Sequence, residues 1–457
     1  GRGHAVAEFA GDNLESCDVF DGSWVPDGRY PLYNSSDCPF AERGFNCLAN
    51  GRKDTGYLKW RWKPRGCDLP RFSARDVLER LRGKRVVFVG DSMSRTQWES
   101  FICMLMAGVE NPKTVYEVNG NQISKTIRFL GVRFASFNLN VEFFRSVFLV
   151  QQSPAPRSSP KRVRAILKLD KMDNISRKWE NADVLIFNSG HWWTPSKLFD
   201  MGCYFEAGGL LKLGTSINSA FKMALETWAS WVKEKVDLKR THVFFRTYEP
   251  SHWSGSNQKV CEVTEFPTAE AKGDDRSEFG DILAGVVVNM SVPATILNVT
   301  LMGAFRSDAH IGIWSHPSTI LDCSHWCLPG VPDAWNELVI SHLLTNDLNG
   351  GGGESATITY PLMWVHAVSV TTVVLEIQIS EFIIYHSTSK VMAWLNELFR
   401  FTRMGMQPKR EVSAVHGWAI SSIPSVASKD VYYVGFTRQT KAEHVEVKNA
   451  IKLQIVR

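Results

Sequence analysis

A serine hydroxyl attacks an ester carbonyl only when a neighbouring base takes its proton, and that base works best when a carboxylate holds its ring. Two short stretches of this chain supply those residue types. In Val89-Gly90-Asp91-Ser92 an apolar run ends on a glycine, and a serine follows two residues later. In Asp322-Cys323-Ser324-His325 a carboxylate precedes an imidazole by three residues. On a turn, that spacing lets the carboxylate fix one ring nitrogen while the other faces Ser92. Together the two stretches would provide nucleophile, base and orienting acid, the requirements for acyl transfer through an acyl-serine. Taken singly, the first is also an ordinary helix cap and the second an ordinary surface turn with a capping Asp.

The elements that must position these residues follow from periodicity. Lys84 to Val89 predicts a compact strand, and Ser94 to Met106 has helical spacing through Trp98, Ile102 and Leu105. Ser92 then stands at the carboxyl end of a strand, where parallel sheets bind ligands, and the helix that follows offers backbone N–H groups to an oxyanion. Gly90 permits the close turn. Upstream, Ser73 and Asp76 form a capping box for a short helix ending near Gly83. Asp183 to Asn188 and Thr241 to Tyr248 predict further strands, and between them Ile217, Phe221, Leu225, Trp228 and Val232 mark one face of a long helix. Segments 129–136 and 141–150 alternate and predict a hairpin or edge strands. Ile296 to Leu301 predicts a strand, and Asp333 to Leu344, opened by Pro332, a last helix. This order predicts an α/β fold with a mainly parallel central sheet under helical cover.

The 457 residues suffice for one large catalytic domain or two smaller ones, and 44% hydrophobic content can fill a substantial core. The 16 Trp and 26 Phe pack cores and also furnish stacking walls of the kind a carbohydrate cleft uses. A net charge of +5, with its densest patch at Lys161 to Arg164 and no aromatic there, argues against a nucleic-acid partner. Nine cysteines, at 17, 38, 47, 67, 103, 203, 261, 323 and 327, have no His partners at zinc spacing in the N-terminal group. They predict disulfides and an oxidising compartment, in line with sequons at Asn34, Asn174, Asn289 and Asn298. No H-E-x-x-H pattern occurs, so no metal site is expected. The opening GRGHAVAEFAGDN holds neither a signal h-region nor an anchor, so a targeting segment is expected to be missing from this sequence. Leu362 to Tyr385 is apolar, but Glu376 and Glu381 argue against a membrane span. Composition divides the chain into a linker at 1–16, a catalytic domain at 17–349 whose Cys-rich residues 17–67 wrap its core, and an appendage after the glycine run, 350–457. That appendage is either a small β-rich module or a gene-end artefact.

The paired Gly90-Asp91-Ser92 and Asp322-Cys323-Ser324-His325 resemble the signatures of the plant trichome-birefringence-like family of wall polysaccharide O-acetyltransferases. Cys17 through Val25, Arg61-Trp62-Lys63-Pro64 and Ser92 through Ser100 resemble the same family, as do Val141-Glu142-Phe143, Asn188 through Trp193 and Asp308-Ala309-His310. Pro329-Gly330 to Asn336 completes an ordered set covering roughly residues 15–349. The resemblance implies a three-layer α/β/α fold similar to that of the GDS esterases. It implies a type II membrane protein of the Golgi lumen, with catalytic Ser92, Asp322 and His325 and a polysaccharide acceptor, xylan being the best-known one. It further implies bridges Cys17–Cys67, Cys38–Cys103, Cys47–Cys327 and Cys261–Cys323, leaving Cys203 free. An acetyl donor is required, either acetyl-coenzyme A or an acetylated intermediate on a donor membrane protein; no tightly bound cofactor is expected. The sequence departs from the family in lacking the anchor and in continuing through 350–457. Asn188 resembles the asparagine with which GDS esterases hold the oxyanion. Arg95 is a candidate to steer donor or glycan, and His191, Trp192 and Trp193 are candidates to line the acceptor cleft, with Arg246 and His310 as further cleft residues. An acetyl esterase using the same triad and a non-catalytic glycan-binding protein are the competing readings.

Overall fold

The computed structural model describes residues 17–255, 260–269, 277–316, 320–348, 418–422, 431–438 and 450–454. The chain divides into two compact units, Gly1–Glu354 and Ser355–Arg457. In the second, the described residues form an antiparallel sheet of Trp418–Ser422, Val431–Arg438 and Ala450–Gln454.

The first unit is built on a seven-stranded sheet. Its spatial order is Thr295–Leu297, His242–Arg246, Val184–Asn188, Arg85–Gly90, Leu139–Arg145, Phe129–Phe134 and Val115–Glu117. The pairings from Thr295–Leu297 across to Leu139–Arg145 are parallel, and the remaining two are antiparallel. Side chains alternate along each strand, so each strand feeds two cores. Val86, Phe88, Ile186 and Phe244 join Trp98, Phe101, Trp335 and Leu338, from the helices Ser92–Met106 and Val331–Leu348. Val87, Val89, Leu185, Phe187, Val243 and Phe245 join Phe221, Leu225, Trp228 and Val287, from the helices Ile217–Lys235 and Glu278–Asn289. The result is the α/β/α sandwich with a largely parallel sheet. A separate four-stranded sheet, containing Val150–Pro154 and Ala165–Met172, abuts the Ile217–Lys235 helix, where the Thr227 hydroxyl donates to Leu169 O at 2.6 Å.

Residues 17–67 wrap the first core. The hairpin of Gly22–Pro26 with Trp60–Pro64 sits at its start, and Trp24 Nε1 donates to Met302 O at 2.9 Å. Tyr30 and Tyr33 donate to Glu337 and Asp333 of the last helix at 2.7 and 3.1 Å. Cys17–Cys67 closes the wrap on itself. Cys38–Cys103 ties it to the Ser92–Met106 helix and Cys47–Cys327 to the residue that follows the strand Asp322–Trp326, while Cys261–Cys323 joins that strand itself. Cys203 is buried and free.

Three expected elements differ in detail. Phe129–Phe134 and Leu139–Arg145 do form a hairpin, turned by Asn138 at φ 51°, but the second strand is interior to the sheet because it also pairs with Arg85–Gly90. The strand expected at 296–301 stops at Leu297: Val299 N donates to the Thr247 hydroxyl at 3.0 Å and a short helix, Thr300–Ala304, begins. Val150 belongs to the second sheet rather than to the hairpin. Lys161, Arg162 and Arg164 are exposed. Residues 1–16 and the apolar run 362–385 lie outside the described residues, among which no helix is long and apolar enough to cross a membrane.

Candidate active site

The sheet delivers Ser92 through an exchange between two neighbouring strand ends. Asp91 N donates to Asn188 Oδ1 at 3.2 Å and Asn188 Nδ2 donates back to Asp91 Oδ1 at 3.0 Å. Asp91 Oδ1 also accepts from Met93 N at 2.9 Å, which makes Asp91 the N-cap of the Ser92–Met106 helix. This exchange needs Gly90, since a Cβ there would lie 1.9 Å from Asn188 Oδ1 and 2.7 Å from Asn188 O. Ser92 is the first helical residue, where backbone N–H groups have no partner inside the helix.

His325 arrives on Asp322–Trp326, paired antiparallel with His310–Gly312. Asp322 Oδ1 accepts from Ser324 N and His325 N at 2.9 and 2.8 Å, folding the turn. Its Oδ2 accepts from His325 Nδ1 at 2.8 Å, and His325 Nε2 lies 2.7 Å from Ser92 Oγ. With Nδ1 protonated, Nε2 is the acceptor for the serine proton. Burial pushes the Asp322 carboxyl up, but the neighbouring His325 and the hydrogen bonds from His325 and Ser324 outweigh it and bring it down to about 2. Phe45, from the wrap, packs on the His325 ring at 5.8 Å between centroids.

Several expected cleft residues have other surroundings. Arg95 is 4% exposed rather than on the helix surface; it is paired with Glu42 and with Glu99 (2.7 Å) and lies over the Phe45 ring. Arg246 is fully buried, bonded to Gln97 at 3.0 Å and to Glu249, and stacked on Trp335. Trp193 packs in the core against Phe148, Phe205 and Phe221, and its Nε1 donates to Ser189 Oγ. His310 is buried against Trp326 at 4.0 Å; its Nδ1 donates to His325 O at 2.9 Å and its Nε2 meets His252 Nδ1 at 2.6 Å. Burial, then the charge of His252, push His310 down to about 3, so it supports the base loop as a neutral ring. Each is a polar or aromatic group on a helix or near a strand end, and the sequence does not reveal what covers it. Asn188 has one amide hydrogen committed to Asp91, so its contact here is with the N-cap.

His191 and Trp192 do stay at the sheet edge. His191 Nδ1 lies 3.3 Å from Asp91 Oδ2 and Nε2 3.7 Å from Glu249 Oε1, with the ring stacked on Tyr248. Burial lowers its basicity, but Glu249 and then Asp91 reverse this and raise it. Trp192 is half-buried between the cations of Arg145 and Lys197. Sequence reasoning missed Glu42, Phe45 and Glu249; only the cysteines of the wrap hinted that N-terminal residues reach this site. Among the described residues no group of His, Cys, Asp and Glu could hold a metal ion.

Residues 69–342 match the family described as the GDSL/SGNH-like acyl-esterase family found in Pmr5 and Cas1p, and residues 15–68 match the PMR5 N-terminal domain. Trichome birefringence-like 7 of Arabidopsis thaliana is 60% identical over 327 residues, 72% of this chain and 73% of that protein. Trichome birefringence-like 6 of the same plant is 43% identical over 340 residues, 72% and 71% of the two chains. Trichome birefringence-like 9, also from Arabidopsis thaliana, is 42% identical over 348 residues, 72% and 84%. Ser92 at its strand–helix junction, the Asp322–His325 turn and the Cys-rich N-terminal wrap all lie within the matched residues, and the chain belongs to the trichome-birefringence-like family of GDSL/SGNH-like acyl-esterase proteins.

Proposed function

We propose that this chain transfers acetyl groups onto hydroxyls of a plant cell-wall polysaccharide, xylan being the acceptor, through an acetyl-Ser92 intermediate. The observation that carries this reading is the continuous hydrogen-bond chain Ser92–His325–Asp322 at 2.7 and 2.8 Å. In the first half, Ser92 Oγ bonds to the acetyl carbon as His325 Nε2 takes the serine proton. The donor's ester bond breaks, and His325 returns the proton to the leaving group. In the second half, a sugar hydroxyl gives its proton to His325 and bonds to the acetyl carbon; the serine bond breaks and Ser92 recovers the proton. Asp322 holds the tautomer and offsets imidazolium charge in both halves. The backbone N–H groups at the start of the Ser92–Met106 helix face the developing oxyanion. The reading assigns this activity to residues 17–349, with 350–457 an appendage, and sets it in the Golgi lumen on a type II membrane protein supplied by an acetyl-coenzyme A-dependent donor or donor protein. Four disulfides support an oxidising lumen.

Incubation with a chromogenic acetyl ester, with and without a deacetylated xylo-oligosaccharide, tests it. Transfer to the sugar and a mass shift on the Ser92 peptide are expected. Chromophore release with no transfer identifies the acetyl esterase instead, and neither activity leaves a glycan-binding protein.

A further inference from the structure

A groove of about 500 Å³ opens between the wrap and the last strand of the central sheet. One wall is Phe40, Glu42 and Arg43. That wall is continuous with the site: Glu42 pairs with Arg95, one turn after Ser92, and Phe45 packs on His325. The opposite wall is Tyr116 with Asn121 and Gln122. Tyr116 lies on Val115–Glu117, three strand positions from Arg85–Gly90. Two antiparallel pairings separate it from Leu139–Arg145, which is parallel to Arg85–Gly90, so it runs in the same sense, with Tyr116 in register through Arg133 and Asn140 with Arg85, and the loop after it heads toward the Ser92 end. Three strand spacings across and the rise from Arg85 to Gly90 along the strand together amount to roughly 20 Å, a distance an extended oligosaccharide covers in several residues.

The wall is preformed. Glu117 Oε2 accepts from Asn119 N and Asn121 N at 2.9 and 2.6 Å, and its Oε1 accepts from Gly131 N at 3.2 Å, so one carboxylate pins the whole loop. Gly120, at φ 69°, makes the turn. These bonds hold Glu117 in place, and Arg95 pairs with Glu42. What remains facing the groove is the exposed Arg43 side chain, a phenol ring 47% exposed and two side-chain amides with no protein partner among the described residues. A flat ring for the C–H face of a sugar and amide and guanidinium groups for its hydroxyls suit a glycan better than an apolar peptide.

We propose that this groove is an acceptor subsite, in which Tyr116, Asn121 and Gln122 hold sugar residues of the polysaccharide several units from the one presented to Ser92. The proposal rests on the transferase reading for its ligand, but it is tested by binding alone. Calorimetry on the full chain carrying Ser92→Ala, with xylobiose and xylohexaose as probes, should give tighter binding of the hexaose. Adding Tyr116→Ala should weaken the hexaose about tenfold, the scale of one lost aromatic contact, and leave xylobiose unchanged. Tyr116→Phe should retain hexaose binding, because the ring face rather than the hydroxyl makes the contact. If Tyr116→Ala lowers the melting temperature, the exposed-loop pair Asn121→Ala and Gln122→Ala should show the same loss confined to the hexaose. Equal affinity for both lengths, no hexaose binding, or equal losses on both probes would overturn the subsite. Acetylation of Ser92 in the unaltered protein is read separately: its absence would remove the acyl-serine mechanism while length-dependent binding still stood.

Discussion

At the scale of single residues, the turn that carries Asp322 and His325 does two things at once. Oδ1 folds the backbone and Oδ2 holds the ring, so a substitution can separate the two roles. Asp322→Asn keeps an acceptor for the backbone N–H groups but can turn its amide toward Nδ1 and favour the wrong tautomer. We expect an unchanged melting temperature and acetyl transfer lowered by about four orders of magnitude, the scale seen when a triad Asp becomes Asn. His325→Ala should be at least as damaging, and the double variant little worse than either. Gly90→Ala belongs to a different class. Its Cβ would collide with Asn188, so loss of activity should come with a lower melting temperature, measurable by calorimetry. That Ser92, Asp322 and His325 come together was legible because each sits in a short local pattern with a chemical reason for its spacing. Arg95 and Arg246 were not, because their roles are set by Glu42 and Glu249, partners whose proximity to them depends on the fold.

At the scale of elements, the last helix meets the wrap through carboxylates rather than through apolar contact alone. Burial raises Asp333 to about 7, against the bonds from Ser100, Gly330 and Tyr33 that lower it, and raises Glu337 to about 7 against the bond from Tyr30. Burial likewise raises Glu99, in the Ser92–Met106 helix, to about 8. The sign follows from which state binds more protons. Between pH 4 or so, where unfolded carboxyls ionise, and roughly 7 to 8, the folded chain keeps protons that the unfolded chain releases. These groups therefore favour folding most at the acid end of that window, and their contribution falls as pH rises through it. Glu337→Gln removes one such group while keeping an acceptor for the Tyr30 hydroxyl. The variant should gain melting temperature relative to the parent between pH 5 and pH 8; a constant difference would show that Glu337 does not titrate in this range. The helix itself was readable from Pro332 and its apolar spacing. The strand expected at 296–301 was overextended because Leu297 and Leu301 are both apolar, and only the Thr247 hydroxyl reveals where the strand stops.

At the scale of the molecule, the wrap turns distant sequence into site structure, and long-range pairings of that kind are least visible in a linear chain. Residues 17–67 have little periodicity because their conformation is set by bridges and by the core they cover. The bridge Cys47–Cys327 spans 280 residues and is fully buried two positions after His325. Around it Leu328 N donates to Phe45 O at 2.8 Å and Cys327 N to Ala309 O at 2.9 Å, so the bond locks the wrap, the base turn and the strand beside it together. Chain-entropy reasoning gives a loop that long about 5 kcal/mol, the upper end of what a disulfide contributes. Cys17–Cys67 closes only 50 residues near the surface, away from the base turn. Replacing either pair by alanines should lower the melting temperature, but the consequences for chemistry should differ. Without Cys47–Cys327, Phe45 is freed to leave the His325 ring, so hydrolysis of a chromogenic ester should fall at temperatures where the fold, followed by circular dichroism, is still intact. Without Cys17–Cys67, activity and fold should be lost together on heating. If both variants keep activity until they unfold, the wrap stabilises the domain but does not hold the base, and the placement of His325 must come from the Asp322 turn alone.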